Sequence, residues 1–186
     1  MPLPVEPRPI FVLSATARLV IASQAPGHRA FRSGVPFDDP SGVRLRHWMG
    51  LEPTRFWNAD HVMILPMGFC FPGHDSAGGD LPPRPECRQT WHEALFAALP
   101  QVELILAVGL HAIRFHLARL HPGQRLDRSL SEHVLGWRDM AALGGAPTLL
   151  PLPHPSWRNS AWLARNPAFE SDLLPVIRQQ VSRLVP

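Results

Sequence analysis

Four apolar runs, set apart by helix-like segments, constrain the fold of this chain most strongly. They are "ARLVIAS" (Ala17–Ser23), "HVMILPM" (His61–Met67), "VELILAVG" (Val102–Gly109) and "APTLLPLP" (Ala146–Pro153). The intervals between them are too long for hairpins, and continuous apolar strands joined by helices are typical of a parallel sheet that is buried on both faces. We therefore predict an α/β fold. It is expected to be a single domain over residues 1–186, with three layers α/β/α around a central, mainly parallel four-stranded sheet.

The segments between the strands predict several helices. "SGVRLRHWMGL" and "LHAIRFHLARL" repeat apolar residues at near-helical spacing, and "PECRQTWHEALFAALP" opens with Pro85 and an acidic first turn. "FESDLLPVIRQQVSRLV" predicts a terminal amphipathic helix that bends at Pro175. "FPGHDSAGGDLPPRP" predicts a long ordered loop.

Composition narrows the class of protein. The chain has 186 residues, no apolar run long enough to span a bilayer, and prolines and a glutamate where a signal peptide would carry basic residues. We expect a soluble, cytoplasmic protein that is a monomer. All 18 Lys-plus-Arg residues are arginine, which excludes catalysis through a lysine Schiff base.

Three polar loops follow predicted strands. "QAPGHRAFRSGVPFDDPSG" follows the first strand, "GFCFPGHD" the second and "HPSWRN" the fourth. Because ligands bind at the carboxyl ends of parallel strands, we expect these loops to form one site. His154 lies between Pro153 and Pro155, which restrict its backbone, and a positioned imidazole can stabilise an anion or relay a proton.

The first loop offers further candidates, each with a structural alternative. Phe37 either presents a flat ring to a planar ligand or belongs to the core. Gln24 suits the edge of an amide-like ring or serves as a buried structural glutamine, and Gly27 permits a close approach. Asp38 and Asp39 precede a predicted helix, so capping that helix or facing water is their ordinary role.

At these residues the chain resembles the uracil-DNA glycosylase superfamily. "SQAPGH" is similar to the first motif of that superfamily, "HPSWRN" to its second, and "GVPFDDPSGVRLRHWMGL" and "NPAFESDLLPVIRQQV" to segments of bacterial members. The resemblance implies hydrolysis of the N-glycosidic bond of deoxyuridine in DNA, after the nucleotide rotates out of the stack. Without lysine, the expected enzyme is monofunctional and leaves an abasic site in its uracil-containing DNA substrate.

The resemblance also implies roles for single residues. His154 matches the histidine that supports the departing uracil anion, and Phe37 matches the ring that stacks on the flipped base. Ala25 stands where one branch has its water-activating aspartate. Either Asp38 or Asp39 therefore supplies the carboxylate, or the reaction depends mainly on stabilising the leaving group.

Recognition of the base and of the DNA is assigned to the same loops. The asparagine expected after the second strand is absent, so the backbone groups of Gly68 and Phe69 are predicted to read the base edge. Arg158 falls where another branch inserts a leucine into the duplex. The full set of candidates is catalytic His154, Asp39, Asp38 and Gln24, base-binding Phe37, Gly27, Gly68 and Phe69, and DNA-binding Ser156, Arg158, Asn159 and His28, with Arg29 and Arg32 as exposed phosphate contacts.

No cofactor or metal is expected. Cys70 and Cys87 are similar to two of the four iron–sulfur ligands of the related branch, but "PLPVEPRPI" replaces the N-terminal pair, so a four-cysteine cluster cannot be built. Zinc held by these cysteines with His74 and His92 would use suitable ligand types at a spacing that fits no common zinc motif.

Three other functions stay open from the sequence. Ala25 and the missing asparagine are compatible with a lesion-binding or abasic-site-binding protein that has lost catalysis. A glycosylase for another deaminated base, such as hypoxanthine, or for thymine opposite guanine is the second alternative. The third alternative is a nucleoside or small-ligand enzyme on the same sheet. It is disfavoured because "HPSWRN" has more cationic and polar side chains than a closed small-molecule pocket requires.

Overall fold

The chain forms a parallel sheet flanked by helices. The computed structural model describes residues 6–76 and 78–186. Within these residues, β1 (Leu19–Ala22), β2 (Val62–Ile64), β3 (Leu104–Val108) and β4 (Thr148–Leu152) form a four-stranded sheet in the order β2-β1-β3-β4. All three strand pairings are parallel. The predicted α/β fold class and parallel sheet are confirmed.

Each strand is shorter than its apolar run, although the four positions are as predicted. β2 ends at Ile64, although the Leu65 and Met67 N–H groups still donate to carbonyls of the β1 segment, at 3.0 and 2.8 Å. β4 keeps Pro151 within the strand, in register with Ala107 of β3. This proline is tolerated because β4 is at the edge of the sheet and has a single neighbour.

The strands are buried as expected for a sheet covered on both faces. Every residue of β1, β2 and β3 is buried, and Thr148 alone is partly exposed in β4. The central strand β1 pairs with β2 on one side and β3 on the other. The order of the chain therefore reverses at β1, which is where doubly wound sheets place their ligands.

Helices connect and cover the strands. They are α1 (His28–Ser33), α2 (Pro40–Met49), α3 (Pro53–Phe56), α4 (Pro85–Cys87), α5 (Glu93–Ala97), α6 (Leu110–Leu120), α7 (Leu130–Leu135), α8 (Trp137–Ala142), α9 (Ser160–Arg165) and α10 (Leu174–Leu184). A π-helical turn, Arg88–His92, joins α4 to α5, and another, Phe169–Leu173, precedes α10.

The helices predicted from periodicity form as α2 and α6, and the segment that opens with Pro85 forms α4, a π-helical turn and α5. The predicted terminal helix forms as the π-helical turn Phe169–Leu173 followed directly by α10, so Pro175 lies where this irregular turn passes into regular α-helix. α1 occupies part of a segment that was expected to be loop, and α9 follows directly after the "HPSWRN" loop. None of the helices in the described ranges is long and apolar enough to cross a membrane.

Candidate active-site cleft

The loops that follow β1 and β4 meet in one cleft at the carboxyl edge of the sheet. The expected contribution of "GFCFPGHD" is not found, because none of its residues 68–75, all of which the structure describes, lines the cleft; the chain after β2 reaches it through Pro66 and Asp80 instead. Its cavity volume is about 120 Å³, several times the space that one water requires. The segment after β1 contributes most of the wall, and the segments after β2 and β4 complete it. The cleft is lined by Ile10, Ser23, Ala25, Pro26, Gly27, Ala30, Pro36, Phe37, Asp39, Ser41, Ile64, Pro66, Asp80, His154 and Ser156.

His154 lies in this cleft, directly after β4. Asn159 fixes its backbone by donating from Nδ2 to the His154 carbonyl over 2.7 Å. Burial lowers the pKa of the His154 imidazole, while the negative charges of Asp39 and Asp80 oppose that shift. The net shift is downward, so the imidazole is neutral at neutral pH. A neutral imidazole can donate one hydrogen bond to a ligand in the cleft.

The two adjacent aspartates differ in position. Asp39 lines the cleft and also caps α2, where its Oδ1 accepts from the Gly42 N–H at 2.7 Å. Asp38 is exposed and lines a separate shallow depression with Arg29 and Arg46. The expected capping role is therefore confirmed for Asp39, and only Asp39 of the pair faces the cleft.

Phe37 is partly buried, lines the cleft and packs its edge against Phe56, with ring centroids 6.1 Å apart. Its φ of 58° lies in the left-handed region, which is unusual for an aromatic residue. Gly42 makes this conformation possible: a Cβ at that position would lie 1.8 Å from the Phe37 carbonyl oxygen. The ring therefore agrees with both alternatives predicted for it, since it packs against the core and also lines the cleft.

The other two candidates of the first loop, Gln24 and Gly27, each lie near another segment of the protein. Gln24 lies in a groove that adjoins the cleft and donates from Nε2 to the Leu81 carbonyl at 3.1 Å. Gly27 lines the cleft, but a Cβ there would meet Asp80 Oδ2 at 3.5 Å, an ordinary contact. The tightest packing against a glycine in this loop is at Gly42, whereas Gly27 remains a candidate for a close approach by the base.

Gly68 and Phe69 do not line the cleft among the described residues. The Gly68 N–H donates to the Gln24 carbonyl at 3.0 Å, and the Phe69 carbonyl accepts from the Ile10 N–H at 2.8 Å. The Phe69 side chain is buried and stacks on His92. These two backbone groups are thus engaged within the protein.

The second-motif loop is held by a contact within the loop and by contacts with two other segments. Ser156 Oγ accepts from the Arg158 N–H at 3.2 Å, and the Ser156 carbonyl accepts from Arg44 at 3.0 Å. Arg158 is exposed and donates to the Gly78 carbonyl at 3.0 Å. Trp157, at the tip of the loop, is 75% exposed.

Sequence reasoning missed Asp80, Ser23 and Ser41, all of which line the cleft. Asp80 contacts His74, with 3.1 Å between Asp80 Oδ1 and His74 Nδ1. His28 is exposed, and its ring centroid lies 6.0 Å from that of His74. Ser23 carried a usable signal, since it is the first polar residue after β1, whereas Asp80 lies 16 positions beyond the end of β2 and offered none.

The cysteines take part in no disulfide. Cys70 and Cys87 are both free and partly exposed, and burial raises the pKa of the Cys70 thiol. In the ranges 6–76 and 78–186, no cluster of three or more His, Cys, Asp or Glu side chains is placed to hold a metal ion. Residues 1–5, which include part of the segment that replaces the other two cysteines, lie outside the described residues.

The family model of the uracil DNA glycosylase superfamily matches residues 11–178. That match covers the sheet, all three loops and the first part of α10. The chain belongs to the uracil DNA glycosylase superfamily. The resemblance predicted from the two motifs is therefore confirmed, and membership supports a DNA glycosylase type of activity on a DNA substrate.

Proposed function

We propose that this superfamily member is a monofunctional uracil-DNA glycosylase that hydrolyses the N-glycosidic bond of deoxyuridine and leaves an abasic site. The observation that carries the proposal is that His154, Asp39 and Phe37 line one cleft. An imidazole, a carboxylate and an aromatic ring are the groups needed to stabilise a departing base, to stabilise the sugar and to stack on a flipped nucleobase.

Each group has a distinct part in the proposed reaction. As the bond breaks, negative charge develops on the base and positive charge on the sugar. The neutral His154 imidazole hydrogen-bonds the base, and the Asp39 carboxylate favours the cationic sugar. Phe37 stacks on the base, and the exposed Trp157 and Arg158 meet the duplex beside the extruded nucleotide.

The absence of lysine supports a monofunctional reaction, because strand cleavage by β-elimination proceeds through a Schiff base with an amine. We therefore expect no borohydride-trapped adduct from a side-chain amine. The protein is further expected to act as a cytoplasmic monomer with no bound cofactor.

The test is base release from a labelled oligonucleotide that contains one uracil, either single-stranded or opposite guanine. His154→Ala should reduce the single-turnover rate by about 10²–10³, the usual cost of removing one charge-stabilising donor. Asp39→Asn retains an N-capping side chain, so it isolates the charge from the helix cap. Asp38→Asn is the matched control, since Asp38 lies outside the cleft and its variant should remain within about twofold of wild type.

Two results would redirect the assignment. No release of uracil together with tight binding of abasic DNA would support the lesion-binding function. Release of hypoxanthine, or of thymine opposite guanine, in preference to uracil would keep the reaction and change the substrate.

A further inference from the structure

A second carboxylate reaches the cleft from a loop that neither motif includes. Asp80 belongs to the segment 73–81 after β2 and lines both the cleft and the adjoining groove. It is therefore placed where the cleft opens toward the second-motif loop, beside Ala25, Ser156 and His154.

Asp80 is held in place from three directions. The backbones of His74 and Asp80 form an antiparallel bridge, and their side chains meet with 3.1 Å between Nδ1 and Oδ1. The Leu81 N–H donates to the Gly73 carbonyl at 2.9 Å, and the Leu81 carbonyl accepts from Gln24. The residue after Asp80 is thus tied to both its own loop and the first motif.

The charge of Asp80 acts on the same group as that of Asp39. Both carboxylates oppose the downward shift that burial imposes on the pKa of His154. The two carboxylates differ in their hydrogen bonds, because Oδ1 of Asp39 accepts from the Gly42 N–H in the α2 cap. Asp80 engages Oδ1 with His74, and its Oδ2 lies toward Gly27, where a Cβ would be 3.5 Å away.

Ala25 leaves the first motif without a carboxylate, and Asp80 lines the same cleft. We propose that Asp80 is a second catalytic carboxylate, which faces the sugar of the bound nucleotide and takes the proton of the attacking water, with His74 and Gln24 as positioning residues. This inference rests on the proposed glycosylase function.

The proposed step balances as follows. The C1′–N bond breaks and its electron pair leaves with the base, so the sugar becomes an oxocarbenium ion. A water oxygen then bonds to C1′, and its proton passes to the Asp80 carboxylate and from there to solvent or to the departed base. No oxidant, reductant or metal takes part in this step.

Two measurements on the full chain test the inference. The first is single-turnover excision by Asp80→Asn, which should fall by about 10²-fold, within the range for general base catalysis. Glu86→Gln, which removes one exposed charge just beyond the loop, is the matched control and should stay within about twofold of wild type.

The second measurement does not require catalysis. It compares binding of DNA that holds a cationic pyrrolidine abasic analogue with binding of DNA that holds a neutral tetrahydrofuran analogue. Wild type should prefer the cationic analogue, and the preference should fall by about tenfold in Asp80→Asn because the analogue imitates the charged sugar. His74→Ala should give a smaller loss of the same preference, since it removes the partner of Asp80 and leaves the carboxylate.

The outcomes separate this inference from the proposed function. Normal excision by Asp80→Asn with an unchanged preference for the cationic analogue overturns the role of Asp80 and leaves the glycosylase intact. Absence of excision by wild type overturns the glycosylase. The analogue preference then still decides whether the Asp80 charge faces the sugar.

Discussion

Acid should destabilise this fold through His92, a histidine behind the wall of the cleft. His92 is fully buried, and its Nε2 lies 3.0 Å from the carbonyl oxygen of Pro66, a residue that lines the cleft. A carbonyl only accepts, so Nε2 carries the proton of the neutral ring. Nδ1 has no partner. A second proton would therefore place an unpaired charge in the core.

The size of the effect follows from the shift in proton affinity. Burial, reinforced by the positive charges of Arg119 and Arg88, lowers the pKa of His92 from 6.5 to about 4, against a smaller opposing effect of the bond to Pro66. Each pKa unit corresponds to about 1.4 kcal/mol, so His92 accounts for about 3 kcal/mol of unfolding free energy.

Acid lowers the free energy of unfolding, because the unfolded chain binds the proton at His92 more tightly than the folded chain does. The contribution is fully present above about pH 6.5, is lost as the pH falls from there toward about 4, and does not change further below that value. His116 is also fully buried, and burial holds its pKa well below the ordinary value, so it adds to the loss in the same direction.

Urea unfolding of wild type and of His92→Gln, followed by tryptophan fluorescence between pH 7.5 and 4, measures the contribution. Glutamine keeps a donor for the Pro66 carbonyl but cannot be protonated. Its packing differs from that of the ring, so the variant should be less stable at pH 7.5. Its stability should nevertheless fall by about 3 kcal/mol less than that of wild type over the range.

The difference between the two pH profiles measures the contribution of His92 together with its coupling to His116, because the charge of His92 also lowers the pKa of His116. His47→Gln, which replaces an exposed histidine, is the control and should follow the wild-type profile. Parallel profiles for wild type and His92→Gln would refute the reasoning, because they would mean that the buried ring accepts its proton at no cost.

Two further predictions concern how the cleft is held. Gly42→Ala should reduce the rate of excision by more than about tenfold, because the new Cβ would overlap the Phe37 carbonyl and displace the ring that lines the cleft. Val43→Ala changes an exposed residue of the same helix and should have little effect. Equal rates for the two variants would contradict this prediction. Arg44→Met should lower the single-turnover rate by about tenfold with little change in melting temperature, because the Arg44 guanidinium donates to the Ser156 carbonyl and so positions the second-motif loop. An unchanged rate would show that the loop keeps its geometry without this hydrogen bond.

The sequence was sufficient to predict the layout of the sheet. Continuous apolar runs, separated by segments with helical periodicity, indicate buried parallel strands, and all four strands formed inside those runs. Their ends were less predictable, because neither the apolar run nor the hydrogen bonding stops sharply at the last strand residue. Ser23 is polar and follows β1, yet its carbonyl still accepts from the Met67 N–H at 2.8 Å.

Local chemistry predicted the residues of the site that depend on local structure. Asp39 was expected as a helix cap, and His154 as a rigid residue between prolines at the end of a strand, because both arguments use only neighbouring positions. Gly42 could not be identified in this way, although it lies only five positions from Phe37. Its requirement comes from a backbone turn whose φ the sequence does not specify.

Asp80 could not be identified from the sequence because its position depends on contacts between separate segments. Gln24 reaches it from the first loop through Leu81, and His74 reaches it across a bridge that no strand propensity predicts. Loops are placed by such pairings rather than by periodicity, so a carboxylate in a glycine-rich loop is indistinguishable from a solvated residue until the loop is folded.

Two carboxylates near a partly buried imidazole also constrain how the leaving base is stabilised. Negative charges at Asp39 and Asp80 favour a protonated His154, whereas burial favours the neutral ring, and burial dominates. A neutral ring stabilises an anionic base through a hydrogen bond and leaves the carboxylate charges available to the sugar. A protonated ring would neutralise part of that charge. The arrangement therefore separates the two developing charges of the proposed reaction, with the imidazole assigned to the base and the carboxylates to the sugar.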